Sequence, residues 1–188
     1  MTDTVTGRDL SELTGTYTID PTHTQIGFVA RHAMVTKVRG AFDDFTGTVT
    51  FDAADPAATA VTVTIQAASI NTRNAQRDAH LRSNDFLAMD SHPQITFVST
   101  GLRVTGDATF DLTGDLTIKG VTNPITVPFT YEGAARDPFG NLRLGFAGAV
   151  EINRRDYGVT WNAALETGGF LVGEKVVLEF EVSAVRNA

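Results

Sequence analysis

The residues of this chain best suited to metal binding or proton transfer near neutral pH are four histidines, His23, His32, His80 and His92. Their spacing matches no zinc pattern. No two stand four apart on one helical face, and the chain has no cysteine to complete a ligand set. The lack of cysteine also removes thiolate nucleophiles and disulfides. No Gly-x-Ser-x-Gly elbow, phosphate-binding loop or dinucleotide fingerprint is present. Asp43 and Asp44 are adjacent, and neighbours on a strand point to opposite faces, so they read as turn residues rather than a paired acid and base. One run does concentrate polar chemistry. Arg77, Asp78, His80, Arg82 and Asp85 crowd together, and Asp78 and Arg82 stand four apart as a surface helix pair. A cluster of that kind suits the polar end of a ligand better than a bond-breaking step.

That run lies in residues 69–97, the one stretch where the chain stops reading as β-strand. Asn71 or Asn74 can N-cap a helix running to about Ser83. Asn84-Asp85-Phe86-Leu87 suggests a second short turn with Phe86 and Leu87 turned inward. Asp90-Ser91-His92-Pro93 ends the insertion, because the residue before a proline resists the helical region. The helical insertion is therefore placed at about residues 72–89.

Around it, apolar residues alternate with polar ones at a period of two. The pattern is sharpest where Phe110, Leu112, Gly114, Leu116 and Ile118 oppose Thr109, Asp111, Thr113, Asp115 and Thr117, two sets that no helix could separate. Similar alternation runs through residues 17–20, 24–32, 45–51, 61–65, 125–131, 142–152 and 176–182. Asp55-Pro56, residues 119–124 and Pro138-Phe139-Gly140-Asn141 read as turns. The connections are short, so the strands are antiparallel and the fold is all-β. About eight strands, each apolar on one face, would leave an open sheet with an uncovered face and two bare edges. Closing into a barrel removes both faults, and a β-sandwich is the alternative. A barrel of eight strands is filled by its own side chains or holds one small ligand. Gly47, Gly114, Gly148 and Ala30 among the inward residues could leave such a slot, or could mark bends.

Residues 153–173 form a second irregular stretch that carries the single tryptophan, Trp161, with Tyr157 and Phe170. Loops this long tend to be functional, and this one would help to close a barrel mouth. Residues 1–15 are polar and aperiodic and read as a flexible arm, with a helical turn at residues 8–13, followed by one domain over residues 16–188. A net charge of −7 argues against nucleic acid as a partner. The N-terminus has neither a basic start nor an apolar core, and no apolar run is long enough to cross a membrane as a helix, which gives a cytoplasmic expectation.

The ordered set of motifs resembles the YceI-like family. The matching pieces are Tyr17 to Asp20 with His23, Ile26-Gly27-Phe28-Val29-Ala30-Arg31-His32 and Val38-Arg39-Gly40-Ala41-Phe42. They continue with Arg77-Asp78-Ala79-His80-Leu81, Asn84-Asp85-Phe86, His92-Pro93 and Ile95-Thr96-Phe97. The last are residues 114–122, Arg155-Asp156-Tyr157-Gly158 and Leu171-Val172-Gly173-Glu174. The resemblance implies an extended eight-stranded, lipocalin-like antiparallel barrel that binds a polyisoprenoid or similar chain and is not an enzyme. Many members of the family are exported, which this N-terminus does not suggest.

The resulting expectation is a carrier for a long apolar lipid, such as a polyisoprenoid, quinone or fatty-acid-like chain, with no required cofactor and no metal. The tail would lie along Phe28, Phe45, Phe97, Leu116, Phe129 and Phe146, with His32, Phe86, Trp161 and Phe170 near the ends and Arg77 and His80 at the head. The alternative is an enzyme or metal-dependent protein acting on such a lipid through the His and Arg residues. A homodimer is possible in either case.

Overall fold

The computed structural model describes residues 10–188. Its elements are β1 (Gly15–Ile19), β2 (Gln25–His32), β3 (Thr36–Phe42), β4 (Phe45–Phe51), β5 (Ala60–Gln66), β6 (Ile70–Asn71), helix α1 (Ala75–Arg82), β7 (Gln94–Val104), β8 (Thr109–Ile118), β9 (Val121–Arg136), β10 (Leu142–Asn153) and β11 (Val172–Arg186). The start of the expected turn at residues 8–13 lies outside the described residues, and Leu10–Leu13 form a 3₁₀ turn.

Eight walls emerge because three of them are broken strands. β1 and β2 both pair with β11, β3 and β4 pair with β2 and β1, and β6 and β5 pair with β3 and β4. Each broken pair is thus one long, kinked wall. The order then runs antiparallel through β7, β8, β9 and β10 to β11, and β11 closes on β1. The result is a closed, eight-stranded, antiparallel barrel with up-and-down connections. One end carries α1 and the loop after β10 (the helix end); the other carries the start of β1 (the arm end).

Besides the two-residue β6, two longer strands were hidden from a reading based on alternation. In β3 the inward position between Val38 and Phe42 is Gly40, where a Cβ would lie 2.3 Å from Phe28 Cζ, so the apolar row has a gap. In β7 a bulge between Ser99 and Gly101 resets the phase from Ile95 and Phe97 to Leu102 and Val104. This strand starts inside the stretch expected to be irregular, so the insertion ends at Pro93. The turn expected over residues 119–124 shrinks to Lys119-Gly120, both with positive φ (51° and 76°), the conformation of a tight two-residue hairpin. Pro124 and Pro128 are part of β9.

Those prolines mark a seam. The β9–β10 ladder stops at the Phe129 and Gly148 pair, and residues 121–128 pair with β8 alone. A proline lacks the N–H that a ladder needs, so it belongs on such an edge. The 3₁₀ turn Arg154–Tyr157 packs over the gap. Asn123 Nδ2 donates to the Asp156 carbonyl (2.8 Å) and Lys119 Nζ to that of Gly158 (3.1 Å). Tyr157 and Val159 are buried beneath this cover.

Helix α1 begins where Asn74 accepts the Arg77 N–H (2.9 Å) and ends at Ser83. The buried Asp78 accepts the Thr72 N–H (2.9 Å) and the Thr72 hydroxyl, which pins the helix to the barrel. Among the described residues, no helix is long and apolar enough to cross a membrane.

Candidate functional site

Inward side chains leave a cavity of about 390 Å³ along the barrel. That volume falls within the range of roughly 300–1,000 Å³ typical of small-molecule sites. At the arm end its border includes Leu10 and Val104, 43% and 61% exposed, with the exposed tip of the β7–β8 hairpin. This is the mouth. At the helix end the bordering side chains include Leu81, Phe86, Leu87, Tyr157 and Val159, and Phe86, Tyr157 and Val159 are buried. This end is blind.

The walls are almost wholly aliphatic and aromatic. Leu112, Leu116, Ile125, Val127, Leu178 and Val182 line the middle. An aromatic belt lies near the mouth: Phe110 stacks on Phe129 (centroids 5.6 Å), and Phe146 meets Phe110 edge-on (5.9 Å) and Tyr131 (5.7 Å). Burial raises the Tyr131 hydroxyl pKa. Gly114 and Gly148, two of the glycines that could have opened a slot or marked bends, instead make room for rings. A Cβ at Gly114 would lie 2.4 Å from Phe97 Cζ, and one at Gly148 2.6 Å from Phe129 Cδ1. Neighbouring rings occupy those places, and of the four small residues only Ala30 borders the cavity.

Among the residues named from sequence, Phe28, Phe86, Phe97, Leu116, Phe129 and Phe146 border the cavity. The others stand elsewhere. Phe45 is buried in the core cluster with Ile19 and Ile65 and does not reach the cavity. His32 is exposed at the end of β2, and Phe170 is 55% exposed beside its bridge partner Ala164. Arg77 is turned back, its Nε donating to Thr72 Oγ1 and its Nη2 to the Thr72 carbonyl (both 2.8 Å). Arg82 donates likewise to the carbonyls of Ala68 and Ile70. His80 bonds Asp85 through Nε2 (2.8 Å) and meets Phe86 and Trp161 edge-on, at 5.0 and 4.7 Å between centroids. Trp161 also packs on Phe86 at 5.3 Å. His80 and Trp161 therefore back the blind end from outside; neither borders the cavity.

The histidines are dispersed. His23 bonds Asp20, His80 bonds Asp85, and His92 packs at the Lys119-Gly120 turn. Among the described residues, no three His, Asp or Glu side chains converge on a point.

Sequence reasoning missed Arg154, which among the described residues is the one charged side chain bordering the cavity at its blind end. It is 6% exposed and borders the cavity. Nε donates to the Gly173 carbonyl (2.8 Å), Nη1 to those of Val159 (2.8 Å) and Trp161 (2.9 Å), and Nη2 to that of Val172 (3.2 Å). Burial lowers its pKa, partly offset by Glu174. In the sequence it is the first of two adjacent arginines, and nothing local says that Arg154 turns in while Arg155 turns out to Glu174.

The match to known proteins follows the same frame. The model of the YceI-like domain matches residues 17–184. The chain belongs to the YceI-like family. A UPF0312 protein of Azotobacter vinelandii is 41% identical over 137 residues, which cover 73% of this chain and 71% of the relative. The crystal structure of Burkholderia cenocepacia BcnA has a TM-score of 0.77 and 27% identity, covering 88% of this chain and 98% of that one. A polyisoprenoid binding domain from Saccharophagus degradans shares the fold at a TM-score of 0.67 and 16% identity, over 91% and 98% of the two chains.

Proposed function

We propose that this YceI-like chain is a non-catalytic carrier that holds one long apolar lipid, a polyisoprenoid, quinone or fatty-acid-like chain, inside the barrel. The observation that carries the reading is the cavity itself: elongated, open at one end and lined almost entirely by carbon. Such a lining gains from covering apolar surface and offers little to a polar solute. Each methylene moved from water into it is worth ~0.8 kcal/mol, so a long tail offsets the ordering cost of binding. The S. degradans neighbour, named as a polyisoprenoid binding domain, supports the same reading. The dispersal of the histidines gives the rival metal-dependent reading no centre to build on.

The test is native mass spectrometry of protein purified without detergent, followed by solvent extraction. The expected result is an adduct at one lipid per chain that extraction releases as a long-chain lipid. A bare chain that also fails to take up polyprenols, quinones and fatty acids would overturn the reading.

A further inference from the structure

Arg154 places a guanidinium at the blind end of a cavity otherwise lined almost wholly by carbon. A guanidinium has five N–H donors. Arg154 spends four on carbonyls of the loop and of β11, and one N–H of Nη2 has no carbonyl partner among the described residues. No described carboxylate forms an ion pair with it; Glu174 is bonded to Arg155 instead. Its neighbours on the cavity border, Ile152, Val159 and Val172, are aliphatic, and the hydroxyl of the fourth, Tyr157, is hydrogen-bonded to Asn123. A buried cation whose hydrogen bonds all go to carbonyls gains from one more acceptor, and most from an anionic one.

We propose that Arg154 is an internal anchor that takes an oxygen acceptor, a carboxylate or carbonyl, at the leading end of an otherwise aliphatic ligand. This rests on the cavity being the lipid site and adds a direction: the chain enters head first, and its tail reaches back through the aromatic belt to the mouth. One remaining N–H suits a single oxygen. A diphosphate, with many oxygens to satisfy, has no matching donors at the blind end.

The single tryptophan supplies the readout, because Trp161 accepts a hydrogen bond from Arg154 and packs on Phe86, which borders the cavity. Stearic acids carrying a nitroxide at carbon 5 or at carbon 16 are titrated into the wild-type protein, and loss of Trp161 emission is followed alongside stoichiometry by native mass spectrometry. The expected result is that both bind and the carbon-5 label quenches more strongly at equal occupancy. In Arg154→Met that preference is expected to disappear while binding persists. Stronger quenching by the carbon-16 label in the wild type would show tail-first entry and overturn the proposal, leaving the lipid site standing. Failure of both probes to bind would overturn the lipid site and the proposal together. The wild-type comparison decides the direction even if Arg154→Met does not fold.

Discussion

Replacing Leu116 by tryptophan tests whether the lumen holds the ligand. Leu116 is buried, faces Phe97 across the β7–β8 ladder and borders the cavity near its middle. The Phe97 ring already fills the space over Gly114, so an indole at position 116 has nowhere to go but the lumen. Taking the added bulk as room for about two methylenes, at ~0.8 kcal/mol each, binding of a chain that fills the cavity weakens by ~1.6 kcal/mol, or ~15-fold in Kd. The assay is displacement of a fluorescent polyene fatty acid by saturated acids of increasing length. For the wild type, affinity should rise ~4-fold per methylene until the lumen is full and then level off. Leu116→Trp should level off earlier. Thr113→Trp, whose side chain belongs to the outward set of the same strand, should match the wild type. Overpacking can itself cost ~1–3 kcal/mol of stability, so urea denaturation accompanies each titration. A folded Leu116→Trp that binds like the wild type, or a Thr113→Trp that weakens binding equally, would refute luminal binding.

Other outcomes follow from the packing. Gly40→Ala should destabilise by ~1–3 kcal/mol, because its Cβ would meet the Phe28 ring and Thr72 Cγ2 at 2.9 Å or less; adding Phe28→Leu should recover much of that in urea melts. Phe86→Ala should lower stability by ~3 kcal/mol and raise hydrogen exchange in α1, since Phe86 joins the helix to Trp161 and the core. At the arm end, Arg143 bonds Asp20 (2.7 Å) and Asp137 (2.9 Å), and hydrogen bonds from Arg143 and His23 hold the Asp20 pKa far below the usual carboxylate range. Hydrogen bonds from Asn141, with others from Arg143 and Phe139, hold Asp137 at about 2. Both folded pKa values lie below the unfolded one, so this stabilisation is full above about pH 4 and fades as pH falls through the folded values. Arg143→Met should therefore be less stable than the wild type at pH 7, with the gap narrowing on acid titration.

The frame of this molecule was legible where one residue decides one face. The alternation in β8, a helix cap at Asn71 or Asn74 and a turn within residues 119–124 could each be read from local chemistry, and folding settles them at Asn74 and Lys119-Gly120; the barrel follows from the need to close edges. What escaped depended on partners distant in sequence. Gly40 makes room for Phe28, and the β7 bulge hides a strand by shifting its phase. The direction of the cavity was equally hidden. Charges on α1 suggested that the polar end of a ligand sits there, yet Arg77 and Arg82 spend their donors on nearby carbonyls, and the exposed cavity border lies at Leu10 and Val104. Only folding tells Arg154 from Arg155, because the β9–β10 seam turns one of them inward.

The most direct measurement is a crystal structure of the protein loaded with a long-chain lipid. Continuous density should run from the Leu10 and Val104 mouth, past Phe129 and Leu116, to the end walled by Phe86 and Arg154. An empty lumen in a crystal whose protein carries stoichiometric lipid elsewhere, on the outer wall or between molecules, would contradict the assignment of the barrel as the binding site.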